Sequence, residues 1–560
     1  MKQKNPQKQY IIRFYFLIGV FFLCFFALIW RVFYLNILRR NFLQHQSDIR
    51  AVRVVDIPAH RGMILDRNGK PLAISSAVDS VWINPQILIA SNEQLVKLAH
   101  LLNVPYDLIK RRDSKTTRRS FVYLRRHINP NLKEKIKALN ISGLFFQREY
   151  QRFYPSAEVF AHVLGFTNID DRGQEGLELA YDSWLYGVPG KRRVLKDRLG
   201  HIIANLEVIK QPQPGHNLVL SLDSRIQYLA YRVLKSVVNK YHAASGSVVV
   251  LDVKTGEILA MVNQPSYNPN DRHANLDSSY RNRAVTDVFE PGSTMKAFSI
   301  TSALESGKYT PDTKIDTNPG WMVIDGNTIN DEHINHGVLT VTGVLQKSSN
   351  VGVAKMTLSL PPEHLWAVLH GFGFGERTAS GFPGEASGSL INRRIWRPFV
   401  LATLAFGYAI SVTPLQLACA YAVIAADGLR RPVTFLKLAP AQVPAGTRVI
   451  GTKVAHEMLK MLQSVVHPGG TGTQAQISGY TVAGKTGTAN IADKHGYNKK
   501  AYTASFVGIA PVTRPRLVVA VVLRKPQGSH YGGLVAAPAF AKIMSGALRI
   551  MDVVPDKVSK

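Results

Sequence analysis

Ser293-Thr294-Met295-Lys296 sets a hydroxyl and an amine one helical turn apart, a pairing suited to nucleophilic catalysis. A serine hydroxyl attacks poorly at neutral pH unless a base takes its proton. A lysine can be that base only when burial or a neighbouring cation lowers its pKa from about 10.4. Pro291-Gly292 turns the chain into Ala297 to Glu305, a stretch of helical composition that stops before Gly307. Ser293 is therefore expected at a helix N-terminus, where free N–H groups and the helix dipole favour negative charge. A Ser N-cap followed by a solvent-facing Lys has the same spacing, so other residues must separate the two readings.

Two later groups do so. Ser348-Ser349-Asn350 and then Lys485-Thr486-Gly487-Thr488 follow the Ser-x-x-Lys in chain order. Lys254-Thr255-Gly256 and Ser266-Tyr267-Asn268 match the same patterns, but both precede the serine, and the first reads as a hairpin turn. The later Lys-Thr-Gly also has a distinctive setting, on the edge of an apolar strand segment, Tyr480 to Gly484.

The elements that must position these groups can be read from hydrophobic period. Leu218 to Leu222 reads as a strand and Ile226 to Val238 as an amphipathic helix. Ser247 to Asp252 and Ile258 to Val262 read as an antiparallel hairpin, and Tyr502 to Ile509 with Leu517 to Leu523 as a second pair around a Pro-containing turn. Strand pairs at both ends with mostly helical material between them predict an α+β domain whose first and last strands complete one sheet. Before residue 215 the texture changes to short strands and turns, with Asn68-Gly69 placed for a two-residue hairpin turn after Arg61 to Asp66.

The chain has 560 residues, 46% hydrophobic and 19% charged, enough for two or three domains with a full core. Its 29 Pro and 42 Gly follow no period, which excludes a disordered or collagen-like chain. Cys24 lies in an apolar run far from Cys419, so no disulfide framework is expected. Phe14 to Trp30 carries no charge, and a helix of that length rises about 26 Å, most of a hydrocarbon core. No small-x-small cleavage site follows it, so an uncleaved anchor with the bulk outside the cytoplasm is expected. The net charge of +30 is spread almost evenly over both halves, which is not a nucleic-acid stripe. The densest basic cluster, Arg111, Arg112, Lys115, Arg118, Arg119, Arg125 and Arg126, reads as a solvated face before a docking surface. His333 and His336 have a spacing that could ligate zinc on a helix, but Asn335 and Gly337 indicate a loop, and the chemistry calls for no metal or other cofactor.

The ordered triad of motifs resembles the penicillin-binding proteins and serine β-lactamases. Thr286 to Ser293 is similar to the nucleophile segment of class B penicillin-binding proteins of the cell-division (FtsI) type. So are the box from Arg61-Gly62 to Asn68-Gly69, the run Gly165 to Glu178, and Tyr531-Gly532-Gly533 with Ala537-Pro538. The resemblance runs from the anchor to about residue 550. It implies a cytoplasmic tail (1–10), a single transmembrane anchor (11–36), an elongated N-terminal pedestal of the dimerisation type (37–215), a transpeptidase domain with a central antiparallel sheet flanked by helices (216–550), and a C-terminal tail (551–560).

The activity so implied is cross-linking of peptidoglycan stem peptides during septal wall synthesis, on the periplasmic side of the inner membrane and subject to β-lactams. Ser293 would attack a D-Ala-D-Ala stem with Lys296 as base. Ser348 would relay a proton to the leaving D-Ala nitrogen, and Asn350 would orient Lys296 and hold the substrate amide. Lys485 would place a second cation beside Lys296, while Thr486, Gly487 and Thr488 would bind the substrate, its terminal carboxylate above all. The N–H groups of Ser293 and Thr488 would form the oxyanion hole, and an amine from a neighbouring stem would resolve the acyl-enzyme. Implied partners are an FtsW-type glycan polymerase and other division proteins, with no nucleic acid. An elongation-type class B enzyme, a D,D-carboxypeptidase or β-lactamase, a β-lactam sensor and a non-catalytic division scaffold stay open as alternatives.

Overall fold

A computed structural model describes residues 6–43, 51–112, 121–197, 202–271, 279–332, 335–392, 396–493 and 496–557. The chain divides into two compact units, Met1–His60 with Ala77–Tyr150 and Gly187–Pro214, and Arg61–Ser76 with Gln151–Tyr186 and Gly215–Lys560.

The first unit opens with a helix, Pro6–Phe33, continued by a π-helical turn at Tyr34–Leu38. Tyr10–Leu38 is strongly apolar and exposes its apolar side chains. Among the described residues it is the one helix long and apolar enough to cross a membrane. Strands Val52–Ile57, Gly190–Lys196 and Ile202–Lys210 form an antiparallel sheet in that order. A separate small core gathers Val81, Ile83, Leu98, Leu102, Leu124 and Ile128. Residues 113–120 of the basic cluster lie outside the described residues. Arg126, at its far end, pairs with Glu149 at 3.0 Å inside this unit.

In the second unit a five-stranded antiparallel sheet is built from β1 (Ser245–Asp252), β2 (Ile258–Gln264), β3 (Ala483–Asp493), β4 (Gly496–Ala510) and β5 (Leu517–Arg524), in the order β2-β1-β5-β4-β3. The first and last strand pairs thus meet, β1 against β5 from Asp252↔Leu517 to Ser245↔Arg524. The period of two in strand side chains sends Val249, Leu251, Val518 and Ala520 to one face and Val248, Val250, Val519 and Val521 to the other. Because both faces are covered, β1, β2 and most of β5 read as unbroken buried runs rather than alternations. Helices α1 (Ser224–Lys240) and α7 (Ala537–Ile550) cover the second face through Ile226, Leu234, Phe540 and Ile543. The first face carries α2 (Lys296–Glu305), α3 (Val341–Lys347), α4 (Asn350–Leu358), α5 (Pro414–Ala425) and α6 (Thr452–Val466).

Local details differ from the sequence expectations for identifiable reasons. The Asn68-Gly69 turn is wider than two residues: Asp66 N donates to Lys70 O at 2.8 Å, and Gly69 takes the positive φ of 83° while Asn68 does not. Asp66 Oδ1 holds this form by accepting from the N–H groups of Asn68 and Lys70, each at 2.8 Å. The strand expected over Tyr480 to Gly484 begins only at Ala483, because Thr481 N donates to Asp556 at 2.7 Å instead of entering a ladder. The strand expected over Leu218 to Leu222 is confined to Leu218–Val219, since Ser221 N turns to Phe435 O at 2.8 Å.

Segments 61–76 and 151–186, inside the span expected for the pedestal, pack within the second unit around a buried ion group. Arg61 and Glu178 are wholly buried and meet at 2.7 Å. Arg152 Nε donates to the other Glu178 oxygen at 2.6 Å, and Arg61 also reaches Asp182 at 2.7 Å.

Candidate active site

Gly292–Met295 forms a 3-10 turn that runs directly into α2, so Ser293 sits in the turn and Lys296 begins the α-helix. The turn is pinned from both sides. Tyr421 of α5 donates to Thr294 O at 2.8 Å, and Thr294 Oγ1 donates to Pro291 O at 2.8 Å. Gly292 N donates to Gly407 O at 3.1 Å. Ser293 stays half-buried, whereas every residue from Lys296 to Leu304 is buried. Lys296 is thus directed into the protein and away from solvent, unlike a lysine that merely follows an N-cap.

Ser348-Ser349-Asn350 is the corner between α3 and α4. Ser348 ends α3 in the left-handed region at φ 60°, a conformation that costs a non-glycine residue of the order of 1–3 kcal/mol. Ser349 caps α4, its Oγ accepting from Gly352 N at 2.9 Å. The left-handed turn points both the carbonyl and the hydroxyl of Ser348 at Lys296, whose Nζ lies 2.5 Å from Ser348 O and 3.1 Å from Ser348 Oγ.

Lys485 arrives from the other direction, on β3, which is the edge strand of the sheet. Its Nζ donates to the same Ser348 Oγ at 3.0 Å and to Thr486 O and Oγ1 at 3.3 Å. Gly487 is required by the close approach of β3 to the turn that carries Ser293: a Cβ there would lie 2.3 Å from Ser505 Oγ, 2.8 Å from Thr294 Cγ2 and 2.9 Å from Pro291 O. Thr486 Oγ1 shares a hydrogen bond of 2.8 Å with Thr471 Oγ1, and Thr488 Oγ1 accepts from Gly532 N at 3.2 Å.

Ser293, Ser348, Asn350, Thr486 and Thr488 line one cleft of about 480 Å³, above the buried Lys296 and Lys485. Burial pushes the Lys296 amine down to about 7, while the carboxylates of Asp331 and Glu332 pull the other way. Burial, together with the neighbouring Lys296 charge, lowers Lys485 well below its ordinary value. Neither amine is therefore an ordinary lysine cation.

All eight residues singled out from the sequence come together here. One contact differs: Asn350 Nδ2 donates to Asn330 O at 2.8 Å, and among the described residues Lys296 is oriented by Ser348 rather than by Asn350. No hydrogen bond among the described residues joins Ser293 to Lys296. The two earlier look-alike triplets are structural. Lys254 to Gly256 is the turn between β1 and β2, and Tyr267 is buried with its OH on Ala161 O at 2.9 Å. The sequence reading missed Tyr408 and Thr471 in the cleft wall and the support from Asp331. Only the glycine-rich run Gly469-Gly470-Thr471-Gly472 carried a local signal. His333 lies outside the described residues, so the His333/His336 spacing has no structural description.

Family models match both parts of the chain, the penicillin-binding protein transpeptidase domain over residues 246–545 and the penicillin-binding protein dimerisation domain over residues 56–220. The peptidoglycan D,D-transpeptidase FtsI of Escherichia coli is 42% identical over 98% of this chain and 93% of its own. The probable peptidoglycan D,D-transpeptidase PenA of Neisseria gonorrhoeae is 42% identical over 96% of this chain and 92% of its own. The crystal structure of penicillin-binding protein 3 from Mycobacterium tuberculosis complexed with ampicillin superposes with a TM-score of 0.70 at 30% identity, covering 90% of this chain and 98% of that one. With these matches spanning both units and the motif residues gathered in one cleft, the chain belongs to the class B penicillin-binding proteins.

Proposed function

We propose that this protein is a peptidoglycan D,D-transpeptidase working through a Ser293 acyl-enzyme. The observation that carries the reading is the placement of two buried amines on the single hydroxyl of Ser348, beneath the cleft that Ser293 lines. A neutral Lys296 has two N–H bonds and one lone pair. Its contacts to Ser348 O and Oγ use the two donors and leave the lone pair to accept the Ser293 proton as the hydroxyl attacks the D-Ala-D-Ala carbonyl.

Ser348 Oγ has two lone pairs, and the two lysines occupy both, so its own proton must point away from them. Ser348 gives that proton to the departing D-Ala nitrogen and takes one from the Lys296 ammonium that donates to its oxygen. Lys485, Thr486 and Thr488 bind the substrate's terminal carboxylate, whose negative charge favours the Lys485 cation. Asn350 holds the substrate amide. The N–H groups of Ser293 and Thr488 stabilise the oxyanion, an effect for which one donor is worth on the order of 10² to 10³ in rate. An amine from a second stem then attacks the ester carbonyl and gives up a proton to neutral Lys296, which passes it to the departing Ser293 oxygen, leaving the cross-link.

The name of the E. coli relative and the 42% identity over 98% of this chain favour the division role over elongation. The apolar helix Tyr10–Leu38 anchors the protein in the inner membrane with the residues after it in the periplasm, and an FtsW-type polymerase and other division proteins are its partners. The functional divisions are the tail 1–10, anchor 11–36, pedestal 37–215 and transpeptidase domain 216–550. β-Lactams acylate Ser293 as substrate mimics.

The test is the full chain in detergent with a pentapeptide stem ending in D-Ala-D-Ala and an amine acceptor. Equal yields of free D-Ala and cross-linked product support transpeptidation. D-Ala release with no amide product would make the enzyme a carboxypeptidase instead.

A further inference from the structure

Asp331 lies in the segment after the strand Asn327–Asn330 and is buried. Its carboxylate gathers the whole start of α4. Oδ1 accepts from Asn350 N at 2.6 Å and from Val351 N at 2.9 Å, and Oδ2 accepts from Ser349 Oγ at 2.7 Å. A negative group on the first N–H groups of a nine-residue helix satisfies donors that otherwise have no partner and meets the positive end of the dipole. Ser349 is held in turn, since its Oγ also accepts from Gly352 N. These contacts fix the three residues that follow Ser348, the hydroxyl on which both lysines converge.

We propose that Asp331 is a positioning residue of this active site: it locks the Ser348-Ser349-Asn350 corner in its left-handed turn and sets a buried negative charge near the Lys296 amine. The proposal rests on the acyl-enzyme reading above. Ser348 is strained at φ 60°, and a strained turn persists only where its surroundings over-determine it. Three hydrogen bonds from one carboxylate to the adjoining three residues do that. The charged groups facing Lys296 are Lys485 from β3 and Asp331 and Glu332 from the segment before α3, and the two carboxylates oppose the effect of burial on Lys296. Asp331 differs from Glu332 in being buried, so water screens its charge less.

The test is the second-order rate of acylation of the full chain by a fluorescent penicillin, followed from pH 5.5 to 9 for wild type, Asp331→Asn, Asp331→Ala and Ser349→Ala. Asp331→Asn keeps an oxygen for the helix N–H groups and removes the charge. Its rate midpoint is expected to move to lower pH by roughly half a unit or more, with a modest fall in plateau rate. Asp331→Ala removes the lock as well and is expected to lose at least 10-fold at every pH. Ser349→Ala keeps the carboxylate and is expected to lower the plateau without moving the midpoint, a result that stands even if an Asp331 variant fails to fold. A midpoint unmoved or raised in folded Asp331→Asn, or a midpoint shifted in Ser349→Ala, overturns the inference. Absence of acylation in wild type would overturn the acyl-enzyme reading itself, a separate outcome.

Discussion

Lys296 and Lys485 donate to one and the same atom, Ser348 Oγ, at 3.1 and 3.0 Å. Two amines from distant parts of the chain, one opening α2 and one on the edge strand β3, thus share an acceptor beneath the nucleophile. The arrangement explains why three short motifs must coexist. Each supplies one corner of a triangle of contacts.

Ser348→Ala removes the shared acceptor, which among the described residues is the one hydroxyl that both amines contact. Acylation by penicillin is expected to fall by roughly 10² to 10⁴, the usual worth of positioned proton transfer. Stopped-flow or gel-based rates with a fluorescent penicillin check it, and circular dichroism verifies that the variant is folded.

The pH dependence follows from the direction of the Lys296 shift. Its base form is the neutral amine, and burial brings the titration down to about 7. The acylation rate should therefore be low at pH 5.5, rise through about 7 and level off above pH 8. A lysine left at its ordinary value near 10.5 would instead keep the rate climbing past pH 9, a clear difference in a rate–pH series.

Gly487→Ala brings a methyl group within 2.3 Å of Ser505 Oγ and 2.8 Å of Thr294 Cγ2. β3 must then back away from the nucleophile turn. The expected costs are about 1–3 kcal/mol of stability and a loss of acylation larger than that cost explains, read by thermal unfolding beside the penicillin rate.

Glu178 sits wholly buried between Arg61 and Arg152. Glu178→Ala leaves two guanidinium groups buried without their carboxylate and is expected to destabilise the second unit by roughly 3–5 kcal/mol. Calorimetry of the full chain should show a lowered transition. Among the described residues no hydrogen bond joins the cleft lining to this group, so acylation by protein that remains folded should be little changed.

Much of this was legible because the relevant signals are local. Ser293 and Lys296 are a helical turn apart, the strands β1 and β5 are apolar runs bounded by turns, and α1 keeps its period from Ile226 onward. What escaped depends on contacts between distant segments. Nothing near Asp331 announces that its carboxylate reaches Asn350 and Val351, and nothing near Arg61 shows that Glu178 is its partner. Likewise the start of β3 was misplaced because Asp556, near the far end of the chain, takes the backbone of Thr481. The resemblance implied that Asn350 orients Lys296, and nothing local shows that Ser348 adopts a positive φ and turns its own carbonyl and hydroxyl to that amine.

The most direct test of the central claim is intact-mass spectrometry of the full chain with penicillin, wild type beside Ser293→Ala, followed over hours. The account predicts a stable adduct of one drug molecule on wild type and none on Ser293→Ala. An adduct on Ser293→Ala, or none on folded wild type, would contradict it.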